Sequence, residues 1–246
     1  SSVDDLPIDV VFARGERVAE NGKLLTKCPH YEWPQTVRKT VNLGKKLDPT
    51  DFLISAPAGV SSVKAKVIGV VENQAPTKAL IFDLPVEQGK VQVEGDVSFL
   101  SLVERHRGTG AVVNGFVSGF GYTGSMAIAS SVAHDSHHMI VVGTNQEMMA
   151  SAANRLGEVG GGVSLWKDGA EVALVELPIA GLMSDSSASE VAVKAQAIVS
   201  AMIDCGCTLN NAYMQHTLLA LVVIPELRIS DLGLVDVNRF ELTEIF

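Results

Sequence analysis

The sequence predicts an α+β fold in which one antiparallel β-sheet is flanked by helices. Three observations carry this. Six runs rich in Val, Ile, Leu, Phe and Ala lie between Val63 and Val142, and few of the gaps between them could hold a helix. Neighbouring strands are therefore expected to pair antiparallel. The first good helical patterns come only afterwards, at Asn145 to Glu158 and Ser187 to Asp204. Finally, 246 residues that are 47% hydrophobic, with a positive mean hydropathy, suffice for a dense core.

In chain order, Ile8 to Ala13, Arg17 to Ala19 and Lys23 to Leu25 read as three short strands, because Asn21-Gly22 is a strong hairpin signal. Such a meander is too small to bury a core alone and must belong to a larger sheet. Residues 26 to 62 carry Pro29, Pro34, Pro49 and Pro57 among polar residues and read as an irregular connection with one or two short elements. The β runs that follow are Val63 to Glu72, Ala79 to Asp83, Val97 to Val103, Ala111 to Ser118, Met126 to Ala133 and Met139 to Val142. Asn145 can cap the first helix, Met148, Met149, Ala152 and Leu156 line one face, and Gly160 to Gly162 end it. Val163 to Lys167 and Val172 to Glu176 form a hairpin across Asp168-Gly169. Val191, Ala195, Ile198 and Met202 mark one side of the second helix. Tyr213 to Val223 is apolar with ambiguous period, and Leu227 to Ser230 and Phe240 to Ile245 are strand pieces.

Composition excludes several classes of function. The net charge is −9 and no basic run occurs, so a nucleic-acid partner is not expected. The longest apolar stretch, Leu218 to Pro225, is far short of the roughly 20 residues that span a bilayer, and Ser1 to Asp5 lacks the shape of a signal peptide. No membrane partner is expected, and the location is read as cytoplasmic. Cys28, Cys205 and Cys207 have no disulfide-framework spacing, and Cys205-Gly-Cys207 reads as two ordinary thiols after a helix in preference to a metal or redox pair.

Gly119-Phe-Gly121-Tyr-Thr-Gly124 matches Gly-x-Gly-x-x-Gly and follows a strand. A dinucleotide site needs a helix to open at the third glycine, and Ser125 to Ala133 reads as a strand, so a glycine-rich hairpin is the better account. The chemistry is concentrated elsewhere. His134-Asp135-Ser136-His137-His138 sits where one strand hands over to the next, and Glu104-Arg105-His106-Arg107 ends another strand just before the turn at Gly108 to Gly110. Three readings of the histidine cluster stand: a metal site, an acid/base site in which a neighbouring Asp fixes the His tautomer, and a structural polar network. In an extended chain adjacent residues point to opposite faces, so at most two or three of these groups could reach one ion. Two such clusters in one domain can share a cleft.

The residues now resemble a known family. Val103-Glu-Arg-His-Arg-Gly-Thr-Gly110, Gly115-Phe-Val-x-Gly-Phe-Gly121, Ala127-Ile-Ala-Ser-Ser-Val-Ala-His-Asp-Ser-His137, Gly160-Gly-Gly162, Leu177-Pro-Ile-Ala-Gly-Leu-Met-Ser-Asp185, Ile224-Pro-Glu-Leu227 and Gly233-Leu-Val-Asp-Val237 are similar to the C-terminal part of bacterial adenine deaminases, members of the amidohydrolase superfamily. The opening meander resembles strands that complete the small β-sandwich of amidohydrolases. The resemblance implies residues 1–28 as sandwich strands, 29–62 as a connection and 63–246 as the C-terminal α+β domain. It implies hydrolysis of adenine to hypoxanthine and ammonia by the whole enzyme, with a divalent metal (Mn, Fe or Zn) held in an N-terminal barrel that this chain lacks; no metal is expected on these residues. Expected partners are adenine, the barrel domain and further copies of the chain. His134, Asp135 and His137 are the candidate catalytic residues, and Ser131, Glu104, Arg105 and His106 the candidate substrate-binding residues. A non-catalytic binding or oligomerisation module and an independent metalloprotein built on the histidine cluster are the alternatives. The sequence departs from the family at His138, where Asn is usual, and in lacking a proline ahead of Val223-Ile-Pro225.

Overall fold

The structure, a computed structural model, describes residues 8–27, 29 and 31–246. The expectations for Ser1 to Asp5 and for Cys28 fall outside the described residues. The chain divides into two compact units, residues 1–34 and 35–246.

In the first unit, β1 (Val10–Ala13), β2 (Glu16–Glu20) and β3 (Lys23–Leu24) form an antiparallel meander, as the turn residues foretold. Arg14-Gly15 and Asn21-Gly22 all take positive φ, the geometry of tight hairpin turns whose twist matches that of the strands. None of its strand residues is buried, and Phe12 is 66% exposed.

The second unit is built on nine strands: β4 (Ser62–Gly69), β5 (Lys78–Glu87), β6 (Lys90–Val91), β7 (Val97–Val103), β8 (Val112–Ser118), β9 (Met126–Ser130), β10 (Met139–Gly143), β11 (Gly162–Lys167) and β12 (Ala170–Glu176). They run in the order β12-β11-β9-β10-β7-β8-β4-β5-β6. All neighbours are antiparallel except β4 and β8, which pair parallel through Ile68 with Val117 and Gly69 with Ser118. The sheet is therefore mixed, and the antiparallel expectation fails at that seam.

The strands alternate two apolar faces, as a doubly covered sheet must. Leu100, Leu102, Ile128, Ile140, Val142 and Val163 face α2 (Ala188–Asp204), α3 (Ala212–Leu218) and a small antiparallel sheet of β13 (Leu227–Ser230), β14 (Gly233–Asp236) and β15 (Glu241–Thr243). Phe99, Val103, Phe116, Ala129 and Val141 face α1 (Gln146–Val159) and the segment carrying Val41, Leu43, Leu47 and Phe52. Asn145 caps α1 by accepting from the Met148 N–H at 3.1 Å, and Gly160 ends it at φ 85°. Ser187 and Glu190 form a capping box at the start of α2. Among the described residues no helix is long and apolar enough to cross a membrane.

Gly119 to Gly124 is not a hairpin, because β8 and β9 are not neighbours; the segment crosses the sheet end past β7 and β10. Two of its glycine N–H groups are already used. Those of Gly119 and Gly121 donate to the two oxygens of Asp96 at 2.7 and 2.6 Å, so an internal carboxylate fills the place a phosphate would need.

Candidate functional site

Four segments converge at the end of β7 and β9 and the start of β10: residues 37–44, 104–110, 131–138 and 179–185. Arg105 is the centre. It is 1% exposed, and its guanidinium donates to backbone carbonyls of His137, Ala180 and Ser131. Burial lowers its pKa while the charge of Glu104 opposes this. Gly181 is required beside it, since a Cβ there would stand 2.8 Å from Arg105 Nη1. Ser131 is fully buried; its hydroxyl donates to the Gly181 carbonyl and accepts from the Gly162 N–H, both at 2.7 Å. The incoming chain joins the same knot. The Ala180 N–H donates to Val37 O at 2.7 Å, the Asn42 N–H to Arg105 O at 2.8 Å, and Arg38 pairs with Asp185 at 2.7 Å.

Glu104 organises the turn that follows β7. Burial would raise its carboxyl, but the backbone N–H groups of Thr109, Arg107 and His106 and the Thr109 hydroxyl outweigh that and hold it at about 2. Its carboxylate is satisfied by the donors of its own turn. Gly44 packs on Gly108 so closely that a Cβ would fall 2.1 Å from Gly108 O.

The histidines are split into two pairs. His106 and His138 lie with ring centroids 4.7 Å apart on a cleft of about 350 Å³ that Glu104, Arg107, Thr109 and Asp231 also line. His106 Nε2 is 2.9 Å from Ser136 O, which can only accept, so that nitrogen carries the proton. His138 is 7% exposed; its Nε2 faces Asp231 Oδ2 at 3.6 Å, and its Nδ1 has no hydrogen-bond partner among the described residues. Burial pushes its pKa down, Asp231 pulls it up, and His106 pushes it down again. His134 and His137 form the second pair, 6.0 Å apart. The His134 Nδ1 lies 3.4 Å from Thr217 O in α3, and His137 Nδ1 accepts from the Ala133 N–H at 3.2 Å. Burial, then the nearby His134 and Arg105, depress the His137 pKa. Asp135, exposed at φ 123°, makes no ion pair with either neighbour among the described residues.

The structure thus brings the two sequence clusters to one place, as expected, but divides the three histidines between two sides of the loop. Among the described residues no three His, Cys, Asp or Glu side chains are grouped to hold a metal ion. Cys205 and Cys207 are buried free thiols whose pKa values burial raises. His138 belonged to the sequence cluster but was not among its candidate site residues, and Asp231, which comes from the β13–β14 turn, was not singled out. Ser230-Asp-Leu-Gly233 has turn composition, but nothing in it points to the distant histidine.

Fold and site together define an α+β domain with its candidate site in loops at one end of the sheet. Residues 74–241 match the family described as adenine deaminase C-terminal domain, and the chain belongs to that family. It is 68% identical over 245 residues to the adenine deaminase of Roseobacter denitrificans and 67% identical over 248 residues to that of Ruegeria pomeroyi, covering 100% of this chain in each case. The adenine deaminase of Moorella thermoacetica is 43% identical over 97% of the chain. The chain spans only 40 to 41% of the length of these relatives.

Proposed function

We propose that this chain is the C-terminal portion of an enzyme that hydrolyses adenine to hypoxanthine and ammonia. The observation that carries the reading is the identity to proteins named adenine deaminase along the whole chain. The remaining portion holds the divalent metal, Mn, Fe or Zn, in an N-terminal barrel; the described residues of this chain form no group that fits such an ion. The whole protein is cytoplasmic and homo-oligomeric, and takes neither nucleic acid nor membrane as a partner.

The part played by this chain is to present the loop 131–138 to the substrate cleft. Arg105, Ser131 and Glu104 hold the loop and its neighbouring turn rigid, and His106, His134, Asp135 and His137 are the groups offered outward for hydrogen bonding or proton transfer. His134 is the sharpest test. In the complete polypeptide, His134→Asn retains one hydrogen-bonding group but cannot exchange a proton near neutral pH. Its turnover is expected to fall about 10²-fold or more, with the thermal midpoint nearly unchanged. Steady-state ammonia release beside a thermal melt reads both, and an unchanged rate would remove His134 from the site.

A further inference from the structure

The imidazoles of the second pair are held in opposite tautomers. His134 Nδ1 lies 3.4 Å from Thr217 O, a carbonyl that can only accept, so Nδ1 carries the proton and Nε2 is a lone pair. The backbone N–H of His134 donates to the same carbonyl at 3.0 Å and ties this residue to α3. His137 is the reverse. Its Nδ1 accepts from the Ala133 N–H at 3.2 Å, so in the neutral ring the proton sits on Nε2. Burial, which depresses the His137 pKa, keeps that ring neutral near pH 7.

Among the described residues neither Nε2 has a hydrogen-bond partner, and neither is shut off from solvent. With centroids 6.0 Å apart, the two rings offer one acceptor and one donor from adjacent side chains. His106 is not a third member, since its Nε2–H is spent on Ser136 O and its ring lies against His138.

A ligand that answers an acceptor and a donor must itself present a donor and an acceptor on one edge. If the carbon that loses its amino group lies at the metal in the other portion of the polypeptide, the part of adenine left for this chain is the far edge, N9–H and N3. That edge has the required pattern, for N9–H donates and N3, one carbon away, accepts. We propose that His134 Nε2 accepts from N9–H of the bound base while His137 Nε2–H donates to N3, so that this pair selects the free base over its N9-substituted forms. A substituent at N9 removes the donor and leaves the His134 lone pair facing carbon, a mismatch that a hydrogen-bonding site rejects more strongly than added bulk alone. Hydrogen bonding and any proton transfer at His134 then use one atom, Nε2. The proposal rests on the reading of the complete polypeptide as an adenine-hydrolysing enzyme and gives this chain the selection of its substrate.

The test measures ammonia release by the complete polypeptide from adenine, from 9-methyladenine, which lacks the N9 proton, and from 3-deazaadenine, which lacks the N3 acceptor. Ratios of kcat/KM between substrates are taken within one preparation, so the folded fraction cancels, and the intrinsic reactivity of each analogue cancels between variant and parent. The preference for adenine over 3-deazaadenine should fall about 10-fold or more in His137→Leu and be kept in His137→Gln, whose amide N–H can stand in for Nε2–H. The preference for adenine over 9-methyladenine should fall by about as much in His134→Ala, which removes the lone pair and makes room for the methyl group. Should a variant be inactive with every substrate, inhibition of the parent decides: purine, which keeps N3 and N9–H, should inhibit adenine turnover about 10-fold or more better than 9-methylpurine, and equal inhibition overturns the proposal. Unchanged ratios in active variants overturn the proposal and leave the enzymatic reading standing. A ratio that falls equally in His137→Leu and His137→Gln overturns the donor role of His137. A complete polypeptide that releases no ammonia from adenine overturns the enzymatic reading and the proposal with it.

Discussion

Replacing Arg105 by Met should lower the stability of the protein by about 3–5 kcal/mol, the largest loss expected of any single change near the site. Its guanidinium serves the carbonyls of His137, Ala180 and Ser131 from a position 1% exposed to water. Met fills the volume but offers no donor. Three buried carbonyls are then left without partners, each at about 1–3 kcal/mol, with some relief as the loops relax. Arg105→Lys should recover part of the loss, since an ammonium can reach one or two of these oxygens but lacks the fork that spans all three. Urea unfolding reads the effect in the shift of midpoint at constant slope. A change below about 1 kcal/mol would mean that water replaces the guanidinium, and that the loops 131–138 and 179–185 are not held by it.

Stability should also fall by about 3 kcal/mol between pH 7 and pH 4 on account of one buried side chain, His216. It is wholly buried on α3 against Phe120, and among the described residues neither ring nitrogen makes a hydrogen bond of normal geometry. Burial, opposed by the nearby backbone of Ile140, depresses its pKa from 6.5 to about 4. The folded-state value lies below the unfolded one. The unfolded chain therefore takes up the proton first, so the contribution of His216 is fully present above about pH 6.5 and is lost as the pH falls through 4. His137 and His138, also depressed by burial, act in the same direction. His216→Leu removes a buried polar ring at little packing cost and should flatten this part of the profile. Urea midpoints for both proteins between pH 7 and 4 decide it: parallel profiles would show that His216 does not titrate on unfolding.

Local chemistry was legible where an element is fixed by its own residues. Val97 to Val103 is a strand as read, the Asn145 cap and Gly160 stop bracket α1, and Asp168-Gly169 turns the β11–β12 hairpin with both residues at positive φ. What depended on distant partners was not legible. The parallel pairing of β4 with β8 follows from strand order across the sheet, and β6 is two residues that pair only because Glu87 and Val86 lie beside them. Tyr213 to Val223 concealed α3 because Gln215, His216 and Thr217 are all buried, which erases the polar half of the helical pattern.

The site shows the same division. The polar loop after β9 stood out by composition, and its meeting with Glu104 to Arg107 was anticipated. The sorting of its histidines was not, because alternation assumes an extended chain, while Asp135 at φ 123° and His137 at φ 50° turn the backbone and send His138 to the other side. Arg105 stood among the candidate substrate-binding residues. Its acceptors are backbone carbonyls, present at every residue, so no side-chain pattern could reveal them.

A division of labour between this chain and the rest of the polypeptide is the central claim, and one measurement addresses it directly: ammonia release from adenine, with Mn, Fe or Zn supplied, by the complete polypeptide and by residues 1–246 alone. The complete polypeptide is expected to release ammonia, and residues 1–246 to release none with any of the three metals. Ammonia release by residues 1–246 alone would contradict the claim, because the cluster from His134 to His138 would then be a catalytic centre in its own right.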